Sequence, residues 1–272
     1  MLYLLFDLGA TKTRLALSHD GQTLAETVVF ATDATSGGQA RFVAEARKLV
    51  GSRTVTMAAG GAPGTIERKT GVLIKAFNLT EWGRVDLGGI FKQAFKAQLL
   101  LDNDTAVVGL GEVAQSEGDK SGIIAYMTIS TGVNGVRIID GRIDRSTYGF
   151  ELGSQIVGEA GEHMIALEDV ISGHSLQRRY GRLPRAIDDP AVWHAETKHL
   201  AVALYNLMVH WSPREIILGG GMMSDIPIDW VETELRKLPP VFPEWPTVRR
   251  AKLGDKGGLY GALELIRQSR LE

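Results

Sequence analysis

The feature that most constrains this chain is a motif that occurs twice. Leu2–Phe6 and Arg14–Ser18 are apolar runs of strand type around a Gly/Thr turn, and His19-Asp20-Gly21 turns the chain into a third run, Thr23–Phe30. In the second half, Ile123–Ile129 repeats the opening strand and Ser130-Thr131-Gly132-Val133-Asn134-Gly135 repeats the glycine turn. Val136–Ile139 and Asp140-Gly141 then repeat the second strand and its acid-glycine turn. With no short period in the 272 residues, this predicts a duplicated domain rather than a solenoid. The length suits one large or two medium cores.

The segments between the copies fix the class. Ala40–Val50 has apolar residues at i, i+3, i+4 and predicts a helix, followed by a strand at Thr54–Ala58. A β-β-β-α-β opening implies an α/β domain with a mixed sheet. Later come a long helix, Trp193–Trp211, a strand, Glu215–Leu218, and a four-proline loop, Leu238–Pro246. The closing helix, Gly258–Ile266, is expected to pack back on the first half.

Composition removes several classes of function. The formal net charge is only -2, which argues against nucleic acid or an anionic membrane as partner. There is no cysteine, so disulfides, thiolate nucleophiles and Cys-ligated zinc are excluded. The apolar start reaches an acid at Asp7, too early for a signal peptide or a membrane span. A cytoplasmic enzyme or binding protein is the expectation.

Four constellations can carry chemistry. In Asp7-Leu8-Gly9-Ala10-Thr11-Lys12-Thr13-Arg14 a strand ends in an acid before a tight turn. Gly9 lets backbone amides approach phosphate oxygens, and Asp7 can join a magnesium shell; the plain alternative is a hairpin with a capping acid. Ser130–Gly135 is the same design in the other half, and two such turns can grip one polyphosphate. Leu99–Leu101 runs into Asp102-Asn103-Asp104 and then a helix, Thr105–Glu112. That sets carboxylates at a strand's carboxyl end, where Asp104 can take a hydroxyl proton; the alternative is helix capping by Asp102 or Asp104. Ile216-Ile217-Leu218-Gly219-Gly220-Gly221-Met222 offers backbone to a flat ligand such as a nucleoside, or is a simple βα turn.

Taken together, the order of these segments resembles the ROK family of bacterial sugar kinases and repressors, within the actin/hexokinase/Hsp70 superfamily. The resemblance implies an α/β, two-lobed actin-like ATPase (ribonuclease H-like) built as a duplicated domain with an interlobe cleft. It implies an N-terminal lobe of residues 1–106, completed by the C-terminal helix 256–272, and a C-terminal lobe of 107–255. It further implies Mg-ATP as donor, a hexose or N-acetylhexosamine as acceptor at its 6-hydroxyl, and glucose first among sugars. Asp7, Gly9, Thr11, Lys12, Ser130, Thr131, Gly132, Gly220 and Gly221 match the ATP motifs. Gly60–Glu67 with Phe77-Asn78-Leu79 and Trp82 is similar to the sugar-facing loop, giving Gly61 and Asn78 a role there. Asn103 matches a sugar-contacting Asn and Asp104 the catalytic base. Glu151, in Gly149-Phe150-Glu151-Leu152-Gly153, and Glu168, ahead of Ser172–Leu176, match sugar-binding acids. Leu253–Ala262 resembles the closing Gly-rich helix.

Two departures stand out. Ser154 occupies the position of a family His that touches sugar and ligates zinc, and Val157–Ala166 replaces the cysteine-rich zinc loop. No structural zinc is expected: His163 alone cannot build a tetrahedral site, and His194 and His199 do not share a helix face. Losing one sugar hydrogen bond costs about 0.5–1.5 kcal/mol, a shift in affinity rather than a loss of chemistry. A weak sugar-binding sensor and a polyphosphate-dependent glucokinase are the alternatives. A DNA-binding repressor is disfavoured, since Asp7 leaves no room for a preceding helix-turn-helix. Small-molecule sugar and nucleotide are the expected partners, and homodimers are common in the family.

Overall fold

The computed structural model describes residues 1–76 and 79–271, which form two compact units. The first unit holds Met1–Gly118, Arg145–Gly149 and Asp255–Glu272; the second holds Asp119–Asp144 and Phe150–Gly254.

In the first unit the chain makes β1 (Tyr3–Leu8), β2 (Lys12–Ser18), β3 (Thr27–Ala31), α1 (Gly38–Val50) and β4 (Met57–Ala62). It continues with β5 (Thr65–Glu67), β6 (Val72–Lys75), β7 (Val85–Asp86), α2 (Leu87–Phe95), β8 (Gln98–Asn103) and α3 (Asp104–Ala114). The main sheet runs β3-β2-β1-β4-β8, with β1–β2 and β2–β3 antiparallel and β1–β4 and β4–β8 parallel. Every residue of β1 is buried, as suits a central strand covered on both faces. On one face Phe6 meets Phe42 and Phe91, each at 5.3 Å between ring centroids. On the other face lie Leu5, Val107 and Leu259.

The second unit repeats the plan. It comprises β9 (Ile123–Ile129), β10 (Val133–Ile139), β11 (Arg142–Ile143), β12 (Ile156–Ala160), β13 (His163–Ala166), α4 (Leu167–Ile171), α5 (Gly173–Tyr180), α6 (Pro190–Trp211), β14 (Glu215–Gly219), α7 (Ile228–Leu235) and β15 (Thr247–Arg250). Its sheet order is β11-β10-β9-β14-β15, again with two antiparallel pairs followed by two parallel ones. The duplication read from the turns is therefore a duplication of sheet topology.

The closing helix α8 (Gly257–Ser269) belongs to the first unit and lies along α3. Glycines make that packing possible: a Cβ on Gly261 would stand 1.7 Å from the Val107 carbonyl oxygen, and one on Gly111 would stand 2.3 Å from that of Gly257. Because α3 is held by α8, the compact unit runs on to Gly118 instead of ending near residue 106. Where a zinc loop was expected to be replaced, β12 and β13 form a two-stranded hairpin with His163 exposed. No helix among the described residues is long and apolar enough to cross a membrane.

Candidate active site

Register sets Asp7 and Asp102 in one row. Arg14 on β2 pairs with Asp7 on β1, Asp7 with Gly61 on β4, and Gly61 with Asp102 on β8. This row lies at the carboxyl ends of three parallel strands, where open α/β sheets bind ligands. Asp104 follows as the first residue of α3, half-buried, its Oδ1 accepting from the Thr105 amide at 2.7 Å. The helix cap is Asn103, not Asp102 or Asp104: its Oδ1 accepts from the Ala106 amide at 3.3 Å, while its Nδ2 donates to the Gly64 carbonyl at 3.0 Å. With capping assigned to Asn103, the Asp104 carboxylate is not needed to cap. Gly61 is glycine for a steric reason, since a Cβ there would lie 2.8 Å from Asp104 Cα. Asn78 lies outside the described residues.

The first turn is tight. Gly9 N–H donates to the Lys12 carbonyl at 3.1 Å, and Thr11 and Lys12 are exposed at its tip. Asp7 is buried and bonded to Arg14 Nη1 at 3.1 Å, and Arg14 Nη2 reaches Asp255 at 2.8 Å. Burial pushes the Asp7 carboxyl above its ordinary value, against the opposing pull of Arg14. Asp7 also meets the start of α8, where a Cβ on Gly258 would stand 2.6 Å from its Cγ. One carboxylate beside an exposed turn fits magnesium, whose other ligands come from water and phosphate. Among the described residues no group of three or more His, Cys, Asp or Glu could hold a metal ion by itself.

In the second unit the glycine turn is stitched to α5. Ser130 N–H donates to the Gly132 carbonyl at 2.9 Å; the amides of Gly173 and His174 donate to the carbonyls of Ser130 and Thr131 at 2.7 and 3.2 Å. Ser130 and Thr131 line a cavity of about 580 Å³ together with His174, Gln177, Gly221 and Asp225. Gly220 has φ +94 and packs so closely on Ile129 that only glycine fits there. Ser130 and Thr131 of the second glycine turn and Gly221 of the triple glycine therefore line one cavity. His174 and Gln177 were not among the expected site residues, although Ser172-Gly173-His174 reads as a capped helix start and Ser172 Oγ accepts from the Ser175 amide.

Glu168 and the segment carrying Glu151 both contact β10. The amide of Leu152 donates to Asn134 Oδ1 at 3.2 Å, and Phe150 lies 4.8 Å from the Trp211 ring with Arg137 over both. These contacts fix the backbone on either side of the exposed Glu151. Glu168 Oε2 accepts from the Val133 amide at 3.2 Å, and a Cβ on Gly153 would lie 2.8 Å from the same oxygen. Glu168 thus sits against the second glycine turn as well as near the Glu151 segment, and Ser154 is exposed beside them.

A paired glycine-turn sheet with an acid at the end of its fifth strand is the architecture of an actin-like ATPase. Within that class a model of the ROK family matches residues 3–269, and the chain belongs to the ROK family. It is similar to a ROK hexokinase from Thermus thermophilus (25% identity, TM-score 0.79, covering 100% of this chain and 99% of the other). It is also similar to a ROK glucokinase from Streptomyces griseus determined with glucose and AMPPNP (22%, TM-score 0.82, 98% and 100%). Among curated proteins a fructokinase from Pediococcus pentosaceus is 30% identical over 207 residues, 70% of this chain and 71% of that one.

Proposed function

We propose that this protein is a cytoplasmic sugar kinase that transfers the γ-phosphoryl group of Mg-ATP to the 6-hydroxyl of a hexose, with glucose as the first candidate. The observation that carries the reading is Asp104 as the first residue of α3, directly after the carboxyl end of β8, with Asn103 as the helix cap and Gly61 against its Cα. Asp104 takes the hydroxyl proton as the sugar oxygen bonds to the γ-phosphorus and ADP leaves. By the family resemblance, Gly61, Asn78, Asn103, Glu151, Ser154 and Glu168 are the sugar-side groups. Asp7, Gly9, Thr11 and Lys12, and Ser130, Thr131, Gly132, Gly220 and Gly221, are the donor-side groups. When bound, magnesium supplies charge neutralisation on the phosphates, and Asp7 is the carboxylate suited to its shell.

The similarity to a fructokinase and to a glucokinase determined with a nucleotide analogue supports phosphoryl transfer to a sugar. The cavity beside Ser130 supports a nucleotide over polyphosphate, which has no base to fill it. Ser154 in place of the family His, with the zinc loop replaced, favours one rival, a sugar sensor with little turnover. A coupled ADP-release assay over glucose, fructose, mannose and the N-acetylhexosamines, with a parallel arm of polyphosphate, tests all three. Sugar-dependent ADP release supports the kinase. Binding without turnover on every sugar supports the sensor, and product formed with polyphosphate alone moves the donor.

A further inference from the structure

Arg68 follows β5 in a turn that none of the glycine motifs includes. Its Nε donates to Asp102 Oδ2 at 2.7 Å and its Nη1 donates to the Ser146 carbonyl at 2.7 Å. Asp102 is buried, its carboxylate 8% exposed, and its other oxygen accepts from the Asn103 amide at 2.8 Å. Asp102 is thus held on both oxygens, by a cation on one side and by the backbone leading to Asp104 on the other. Ser146 belongs to the short segment Arg145–Gly149, which packs in the first unit and runs directly into Phe150-Glu151. Its hydroxyl is buried with no hydrogen-bond partner, so the serine side chain does not anchor that segment. Arg68 thus binds both stretches with one guanidinium.

We infer that Arg68 is a positioning residue for the acceptor side, one planar fork that sets the Asp102–Asp104 strand end and the 145–149 segment in a single arrangement. A guanidinium suits this because its donors lie at fixed angles, so two acceptors held by it are held relative to each other. A lysine carries the charge without the fork. The inference rests on the sugar-kinase reading for its consequence in catalysis, but not for the arrangement itself.

The test uses Arg68→Met, Arg68→Lys and Asp102→Asn in the full chain. Arg68→Met should raise the sugar KM and lower kcat, with a combined loss of up to about 100-fold, as small misplacements near a reacting group do. The nucleotide KM should stay at the wild-type value. Hydrogen exchange of peptides covering 102–106 and 145–150 should quicken together, while the rest of the unit keeps its protection. Arg68→Lys should restore protection at 102–106 and leave 145–150 fast, and Arg68→Met with Asp102→Asn should be less than additive. Unchanged exchange in both peptides overturns the inference. So does loosening of the whole unit with sugar and nucleotide KM rising alike, which is the mark of a merely structural residue. Should the wild type turn over no sugar, the kinase reading fails, and the exchange pattern still decides on Arg68.

Discussion

The Thr32 hydroxyl donates to the Gly9 carbonyl at 2.7 Å from a position twenty-three residues along the chain. With that proton engaged, Thr13 Oγ1 donates to Thr32 at 2.8 Å, and the Thr32 amide donates to the Thr11 carbonyl at 3.0 Å. One threonine after β3 therefore fixes three residues of the first glycine turn. Thr32→Val keeps the shape and removes both side-chain bonds, at about 0.5–1.5 kcal/mol each. Chemical denaturation should show a loss of about 1–3 kcal/mol, and the nucleotide KM should rise more than the sugar KM. Thr32→Ser should retain most of both.

Asp104→Asn should fold normally, since Asn103 and not Asp104 caps α3 and the two side chains have nearly the same shape. Turnover should fall by about 10²–10⁴-fold, the usual contribution of a general base. Steady-state kinetics with circular dichroism as the folding control checks this. Near-wild-type turnover would falsify the assignment of the base.

The close approach of α3 and α8 makes Gly261→Ala a severe change. Alanine gains up to about 1 kcal/mol in helix propensity over glycine. Its methyl would stand 1.7 Å from the Val107 carbonyl, a clash with backbone that only a shift of the helix relieves. Overpacking costs about 1–3 kcal/mol or more and should win. A lower melting temperature and poor soluble yield are expected; a rise in melting temperature would show that α8 can slide.

Glu196 is fully buried in α6, one oxygen bonded to Arg179 at 2.9 Å and the other without a partner. Burial raises its carboxyl above the ordinary value, with Arg179 pulling the other way. An acid raised in the folded state is most favourable when protonated, so its contribution is present at low pH and is lost as pH climbs through the raised value. Glu196→Gln should therefore stabilise the protein relative to wild type above the ordinary glutamate range, with the difference closing in acid. Melting temperatures of both proteins from pH 4 to pH 8 give the slope, and parallel curves would contradict it.

The twofold plan was legible because turns and apolar runs are local signals, and both halves show them. β4 was read as Thr54–Ala58 but runs from Met57 to Ala62. Its Gly60-Gly61 pair looks like a turn in sequence, yet the glycines are imposed by the Phe6 ring beneath one and Asp104 Cα against the other. The short strands β5 to β7 and the hairpin of β12 and β13 escaped notice for a similar reason, since their pairing depends on partners and not on a strong pattern of their own.

At the site, Asp102 and Asp104 were the capping alternatives, whereas it is Asn103 that caps α3. Backbone angles decide which of three adjacent polar residues caps, and composition carries no trace of them. Thr32 and Arg68 lack any motif because each acts through a partner distant in sequence.

The first unit is assembled from three stretches of chain, and the last of them, α8, closes its second hydrophobic face. A ribosome makes the chain from its amino end, so Leu5, Ala59 and Val107 emerge long before Leu259 and Ile266 exist to cover them. The second unit, although later in sequence, is complete first, its last stretch ending at Gly254. Newborn chains should therefore carry an open apolar sheet face throughout most of synthesis, a natural client surface for a chaperone, until the final helix arrives.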